Sequence, residues 1–214
     1  EYSALACLGS ISFEDTLKIL QRRGKFMQEA VPSGEGAMLA VLGMASKELD
    51  KILEMNSKKY ECFIANDNSN LQVVVSGLKK DINLLSDDLN NKKIKNLKLN
   101  VSAPFHCKYM KTASEKMTSY INDLNMNELE KPIISNVTAN ETSSSREIKS
   151  LLISQIEKKV RWLESVEYMI NNGVKNFVEI GPGKVLSGLI KRINKNVKVN
   201  SINNEEDIKL LIND

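Results

Sequence analysis

The chain has 214 residues, 42% of them hydrophobic, with 30 basic and 27 acidic side chains and a formal net charge of +3. This is too apolar for a disordered protein and enough for one substantial core or two small ones. Charges of both signs run along the whole length, so no single-sign face is offered to nucleic acid or an anionic membrane, and no apolar run approaches the roughly 18 residues of a membrane span. Residues 90–100 and 194–204 are crowded with Asn, Lys and Ile. Apolar residues keep their spacing inside both, so they read as solvated surface rather than as a basic binding patch. The start carries no charged-then-apolar leader pattern, and the expected address is the cytoplasm.

Residues 1–8 form a helical run with no capping residue ahead of it, which leads us to expect a preceding segment. A second helix opens after Ser12, with Asp15 three residues on in a capping-box-like arrangement, and runs to about Ala30, before Pro32. Residues 36–43 read as a buried strand and 46–55 as a helix. Strands at 62–65 and 71–75 flank the turn-rich Asn66-Asp67-Asn68-Ser69-Asn70. A helix at 79–89 and a strand at 94–99 complete a β-α-β-β-α-β order, the ferredoxin-like arrangement, assigned to residues 33–101. Beyond it the pattern predicts a helix at 108–124, a strand at 133–137, and helices at 145–158 and 162–171. A strand at 177–180 follows, then a helix at 185–193 after Gly181-Pro182-Gly183, a strand at 197–199 and a terminal helix. Strands alternating with helices predict a mainly parallel, covered sheet. The small subdomain is therefore expected as an insert in an α/β domain made of residues 1–32 and 102–214, whose first strands are missing.

His106 is the chain's only histidine, so any imidazole proton transfer near neutral pH must use it. A single histidine is as a rule structural, but Ser102-Ala103-Pro104-Phe105-His106 leaves a strand at the junction of the two predicted domains, where sites tend to lie. Its nucleophile is not evident. Ser3, Ser10 and Cys107 are candidates by residue type alone, and Cys107, adjacent in sequence, would not normally face His106. The cysteines Cys7, Cys62 and Cys107 form no CxxC pair and read as reduced thiols, not as a disulfide framework or a zinc site. In the second helix the apolar stripe is read as Phe13, Leu17, Leu20, Gly24, Met27 and Val31, with Arg23 half-buried at its edge. A guanidinium there needs an anion, either a protein carboxylate or the carboxylate of a ligand. Gly181-Pro182-Gly183-Lys184 lacks the spacing of a P-loop or dinucleotide fingerprint and reads as a tight turn. Gln155 and Trp162 look like core or cap residues.

Five ordered blocks carry a resemblance. Glu1-Tyr-Ser-Ala-Leu5, Arg23-Gly-Lys-Phe-Met-Gln-Glu-Ala-Val31, Ser102-Ala-Pro-Phe-His106, Ser135-Asn-Val-Thr138 and Glu179-Ile-Gly-Pro-Gly-Lys-Val-Leu-Ser-Gly188 are together similar to bacterial malonyl-CoA:acyl-carrier-protein transacylases. The resemblance implies an α/β-hydrolase-like acyltransferase domain with an inserted ferredoxin-like subdomain. It implies that a Gly-His-Ser-Leu-Gly elbow bearing the nucleophilic serine directly precedes Glu1 and is missing from the chain. It further implies that His106 is the general base, that Gln155 orients it largely through its backbone carbonyl, and that Arg23 grips the malonyl carboxylate. Phe105 fits a preference for malonyl over branched units.

The implied reaction is ping-pong transfer of malonyl from coenzyme A to the phosphopantetheine thiol of acyl carrier protein, in fatty acid synthesis, without a metal or separate cofactor. The expected partners are acyl carrier protein and the coenzyme A thioester, with neither nucleic acid nor membrane. Alternatives are an acyltransferase domain of a polyketide synthase, or a non-catalytic fragment that docks a carrier protein.

Overall fold

A computed structural model of the protein describes residues 1–213, which cluster into two compact units, Glu1–Trp162 and a second from Leu163 onward. The first unit opens with helix α1, Tyr2–Cys7, and helix α2, Phe13–Gln28. Ser12 caps α2 as expected: its Oγ accepts from the Asp15 amide at 3.0 Å and donates to the Asp15 carboxylate at 2.8 Å. The inward face of α2 differs from the predicted stripe. Thr16, Ile19 and Met27 are buried with Arg23 half-buried among them, whereas Phe13 and Leu17 are 74% and 53% exposed. Met27 belongs to both faces and Arg23 is half-buried as expected, but the stripe counted by spacing is rotated away from the buried face, because Thr16 and Arg23 break the apolar pattern where the helix meets the core.

Strand β1, Gly36–Leu42, helix α3, Ser46–Met55, strands β2, Cys62–Ser69, and β3, Gln72–Leu78, helix α4, Lys79–Asn91, and the short strand β4, Asn96–Lys98, follow. The four strands form one antiparallel sheet in the order β2-β3-β1-β4, the ferredoxin-like order. Side chains alternate across β1: Leu39 and Val41 pack on Leu49, Ile82 and Leu85 of the two helices, while Met38 and Ala40 lie on the other face with Ala65, Val74 and Phe105. The predicted turn at 66–70 is instead the second half of β2, and only Asn70 and Leu71 turn. Two register shifts, at Ile64/Asn66 and Asp67/Ser69, accommodate the polar residues, and Val160 bridges the edge through the Asp67 amide and the Ala65 carbonyl.

The chain then makes a 3-10 turn, Lys108–Met110, helix α5, Lys111–Asn122, a hairpin of β5, Ile133–Ile134, and β6, Glu141–Thr142, and helix α6, Ser145–Gln155. The strand predicted at 133–137 stops after Ile134, since Ser135 closes a tight turn: its amide bonds to the Asn140 carbonyl, and its own carbonyl accepts from Ala139. Helices α1, α2, α5 and α6 bury Leu5, Ile19, Met117, Ile121, Ile148 and Leu152 in one core, against which Phe105 also packs.

Helix α7, Trp162–Asn171, leads into the second unit, where β7, Asn176–Ile180, helix α8, Val185–Ile193, and β8, Lys198–Ile202, form a parallel β-α-β unit followed by helix α9, Glu205–Asn213. Parallel pairing among the described residues is thus carried by β7 and β8, apart from the isolated bridge at Val160. The Gly181 amide bonds to the Ile202 carbonyl and the Gly183 amide to Asn203 Oδ1, so the turn spends these donors on the protein itself. Among the described residues no helix is long and apolar enough to cross a membrane.

The reassigned face of α2 predicts that Ile19→Ala costs about 2–5 kcal/mol of stability in urea denaturation, while Leu17→Ala stays within about 0.5 kcal/mol. Equal losses would restore the stripe read from sequence.

Candidate active site

His106 stands on the loop between β4 and the 3-10 turn, with φ of +60°, a left-handed backbone that a non-glycine residue rarely adopts. Its neighbours hold it there. Ala103 is fully buried, the Cys107 thiol donates to the Pro104 carbonyl at 3.0 Å, and Phe105 packs against both the helical core and the outer face of the small sheet. Just beyond, Glu61 accepts from Lys108 Nζ at 2.5 Å and Tyr109 Oη at 2.6 Å, tying the 3-10 turn to the start of β2.

The imidazole Nδ1 donates to the Gln155 backbone carbonyl at 2.9 Å. A carbonyl only accepts, so the neutral ring carries its proton on Nδ1 and leaves Nε2 free to take one. Gln155 is the last residue of α6, where carbonyls lack an intrahelical partner and the helix dipole is negative, which makes this a ready acceptor. Burial drives the His106 pKa down to about 4, opposed by the Gln155 bond and assisted by the Arg23 charge, so the ring is neutral at pH 7.

The same glutamine reaches Arg23. Arg23 Nη2 donates to Gln155 Oε1 at 2.7 Å, and the guanidinium carbon lies 6.0 Å from the centre of the Tyr2 ring. No carboxylate forms an ion pair with Arg23 among the described residues, and its buried Nε has no hydrogen-bond partner. Burial accordingly pushes its pKa below the usual arginine value, with Tyr2 and Glu1 acting the other way. The alternative of a protein carboxylate is not what the fold supplies: a neutral amide takes one donor and leaves an incompletely satisfied cation.

The structure thus brings together His106, Gln155 and Arg23, while Phe105, next to His106 in the chain, packs into the two apolar clusters. An open cleft of about 640 Å³ reaches His106, lined also by Cys62, Phe63, Cys107, Lys108 and Glu157 among others. Arg23 does not line it. The residue-type candidates for a nucleophile are otherwise occupied or exposed: Ser10 Oγ donates to the Asn127 carbonyl, Ser3 is exposed, and burial raises the Cys107 pKa. Residue-by-residue reading gave Gln155 no role, since its two contacts lie 49 and 132 positions away.

Residues 1–209 match the acyl transferase domain family. The chain is 40% identical over 214 residues to the malonyl CoA-acyl carrier protein transacylase of Bacillus subtilis (strain 168), covering 99% of this chain and 68% of that protein. It is 42% identical over 213 residues to the protein of the same name from Staphylococcus aureus (strain MRSA252), covering 98% and 68%. The crystal structure of malonyl CoA-acyl carrier protein transacylase from Clostridium perfringens ATCC 13124 superposes with a TM-score of 0.94 at 40% identity, over 100% of this chain and 67% of that one. A type II PKS acyl-carrier protein in complex with its malonyl-transacylase gives 0.93 at 35% identity, over 100% and 70%.

A histidine buried in its neutral form makes stability depend on pH. Its folded pKa, about 4, lies below the unfolded value of 6.5, so the unfolded chain binds the extra proton first. The stability is fully present above pH 6.5 and is lost as pH falls toward 4. Relative to His106→Asn, the parent should lose roughly 3 kcal/mol across that window in urea denaturation. Parallel pH profiles would show that His106 is not buried neutral.

Proposed function

The chain belongs to the acyl transferase domain family and, within it, to the malonyl CoA-acyl carrier protein transacylases; from this premise we propose how its residues take part in moving a malonyl group from coenzyme A to the phosphopantetheine thiol of an acyl carrier protein in fatty acid biosynthesis. The observation that carries the reading is the half-buried Arg23, held by an amide rather than a carboxylate and with a buried, unpartnered Nε. A cation left in that state favours an anionic ligand, and the free carboxylate of malonyl matches a guanidinium through two parallel hydrogen bonds.

His106 is the base. Its free Nε2 takes the proton of a serine hydroxyl as the serine oxygen attacks the thioester carbonyl carbon, and the resulting imidazolium returns the proton to the departing coenzyme A thiol as the carbon–sulfur bond breaks. In the second half the carrier thiol gives its proton to His106, its sulfur attacks the malonyl ester, and the serine oxygen is reprotonated. The attacking serine, which the resemblance assigns to a Gly-His-Ser-Leu-Gly elbow ahead of Glu1, lies outside the 214 residues. Gln155 fixes the tautomer of His106 through its carbonyl and the direction of Arg23 through its amide. Phe105 narrows the site toward malonyl. Residues 33–101 serve as a small subdomain inserted between the 1–32 and 102–214 parts of the acyltransferase domain. The thioesters bring their own activating group, so no separate cofactor is invoked, and the reaction is assigned to the cytoplasm. The likeness to a malonyl-transacylase of a type II PKS supports a polyketide carrier protein as the alternative acceptor.

The test uses the chain extended by an elbow-bearing N-terminal segment. Removing one charge-assisted contact worth about 1.5–3 kcal/mol, Arg23→Ala should lower malonyl transfer about 10- to 150-fold while acetyl transfer falls little. Gln155→Ala keeps the backbone carbonyl but frees Arg23, so it should lower the malonyl-to-acetyl ratio of kcat/KM with acetyl transfer largely retained. Equal loss of both substrates in stably folded variants would make Arg23 and the Gln155 amide structural.

A further inference from the structure

The loop that carries His106 lies against bare backbone. Gly36, the first residue of β1, pairs with Leu78 across the sheet. A Cβ at this position would stand 2.2 Å from Pro104 Cδ, 2.7 Å from the Pro104 nitrogen and 2.9 Å from Ala103 Cα. Two of these three atoms are main chain, so no change of rotamer relieves the clash. The conformation of Gly36 does not demand glycine, since it is absent from the left-handed set that includes its neighbours Gly34 and Gly43, beside which a Cβ would meet nothing within 4 Å. Glycine stands at 36 for close approach alone.

What approaches is the root of the His106 loop. Ala103 is fully buried, the Pro104 carbonyl accepts from the thiol of Cys107, the residue after the histidine, and His106 itself holds a strained φ of +60°. Strain of that kind persists only where the surroundings over-determine it, so a displaced root would release the ring from the Gln155 carbonyl. We propose that Gly36 is a positioning residue for His106: by presenting no side chain, it lets Ala103 and Pro104 seat against β1 and so sets the imidazole on the Gln155 carbonyl. The catalytic meaning rests on the reading of His106 as base, but the geometry can be read from His106 itself.

His106 is the chain's only histidine, so its ring C–H signals in NMR are unambiguous. In the parent they should titrate at about 4, with burial the main cause and the Gln155 carbonyl and Arg23 the facing groups. In Gly36→Ala the displaced ring gains water, which outweighs loss of the Gln155 bond, and the midpoint should rise by about one unit or more toward 6.5. Gly188→Ala, where an added Cβ meets nothing within 4 Å, should leave it unchanged. A folded Gly36→Ala with the parental midpoint would overturn the proposal. Should that variant not fold, Pro104→Ala removes the 2.2 Å contact and leaves the two main-chain ones. Adding Gly36→Ala to Pro104→Ala should then raise the midpoint above that of Pro104→Ala alone, and equal midpoints would overturn the proposal. In the elbow-bearing protein, the shift should accompany a fall in kcat with KM little changed. A shifted midpoint with full transfer would reject His106 as base while leaving its positioning by Gly36 intact.

Discussion

Gln155 accepts twice, once through its carbonyl from the His106 imidazole and once through its side chain from the Arg23 guanidinium. The bond to His106 depends on α6 ending at this residue, because the carbonyls of a helix's last turn lack an intrahelical partner and carry the negative end of the dipole. The residue joins three segments that meet nowhere in sequence: α2, the loop after β4, and the end of α6. A shift of any one of them alters the tautomer of His106 or the aim of Arg23.

The polar pair survives burial for opposite reasons. His106 avoids the cost of an enclosed charge by staying neutral, with its pKa pushed down to about 4. Arg23 cannot discard its proton, so it remains a cation beside a neutral amide and an aromatic ring. One site therefore holds a proton acceptor ready at neutral pH and a positive group lacking a full set of acceptors. That combination suits a substrate that is both a thioester and an anion.

The small sheet contributes more than a wall. Its inner face is covered by α3 and α4, while its outer face holds Phe105, which also packs on the helical core. The His106 loop is clamped between these layers, with Gly36 allowing main chain to lie on main chain. Close packing of this kind transmits displacement, since dense interiors have few voids to absorb it.

Much of this was legible in the sequence. The Ser12 cap, β1, α3 and α8, the β-α-β-β-α-β order and the prominence of the lone His106 follow from local rules: caps, period-two alternation and the rarity of imidazole. The motif blocks carried the family. Tertiary structure alone decided the inward face of α2, because a threonine and an arginine there are tolerated only by particular neighbours across the core. It also converted the Asn-rich stretch into strand, through bulges and the Val160 bridge that relieve an edge. The double role of Gln155 and the need for glycine at 36 came from tertiary structure too, for one physical reason. Each is a contact between segments dozens of residues apart, and hydrogen-bond reach and van der Waals exclusion act over distances in space that spacing along a chain does not encode.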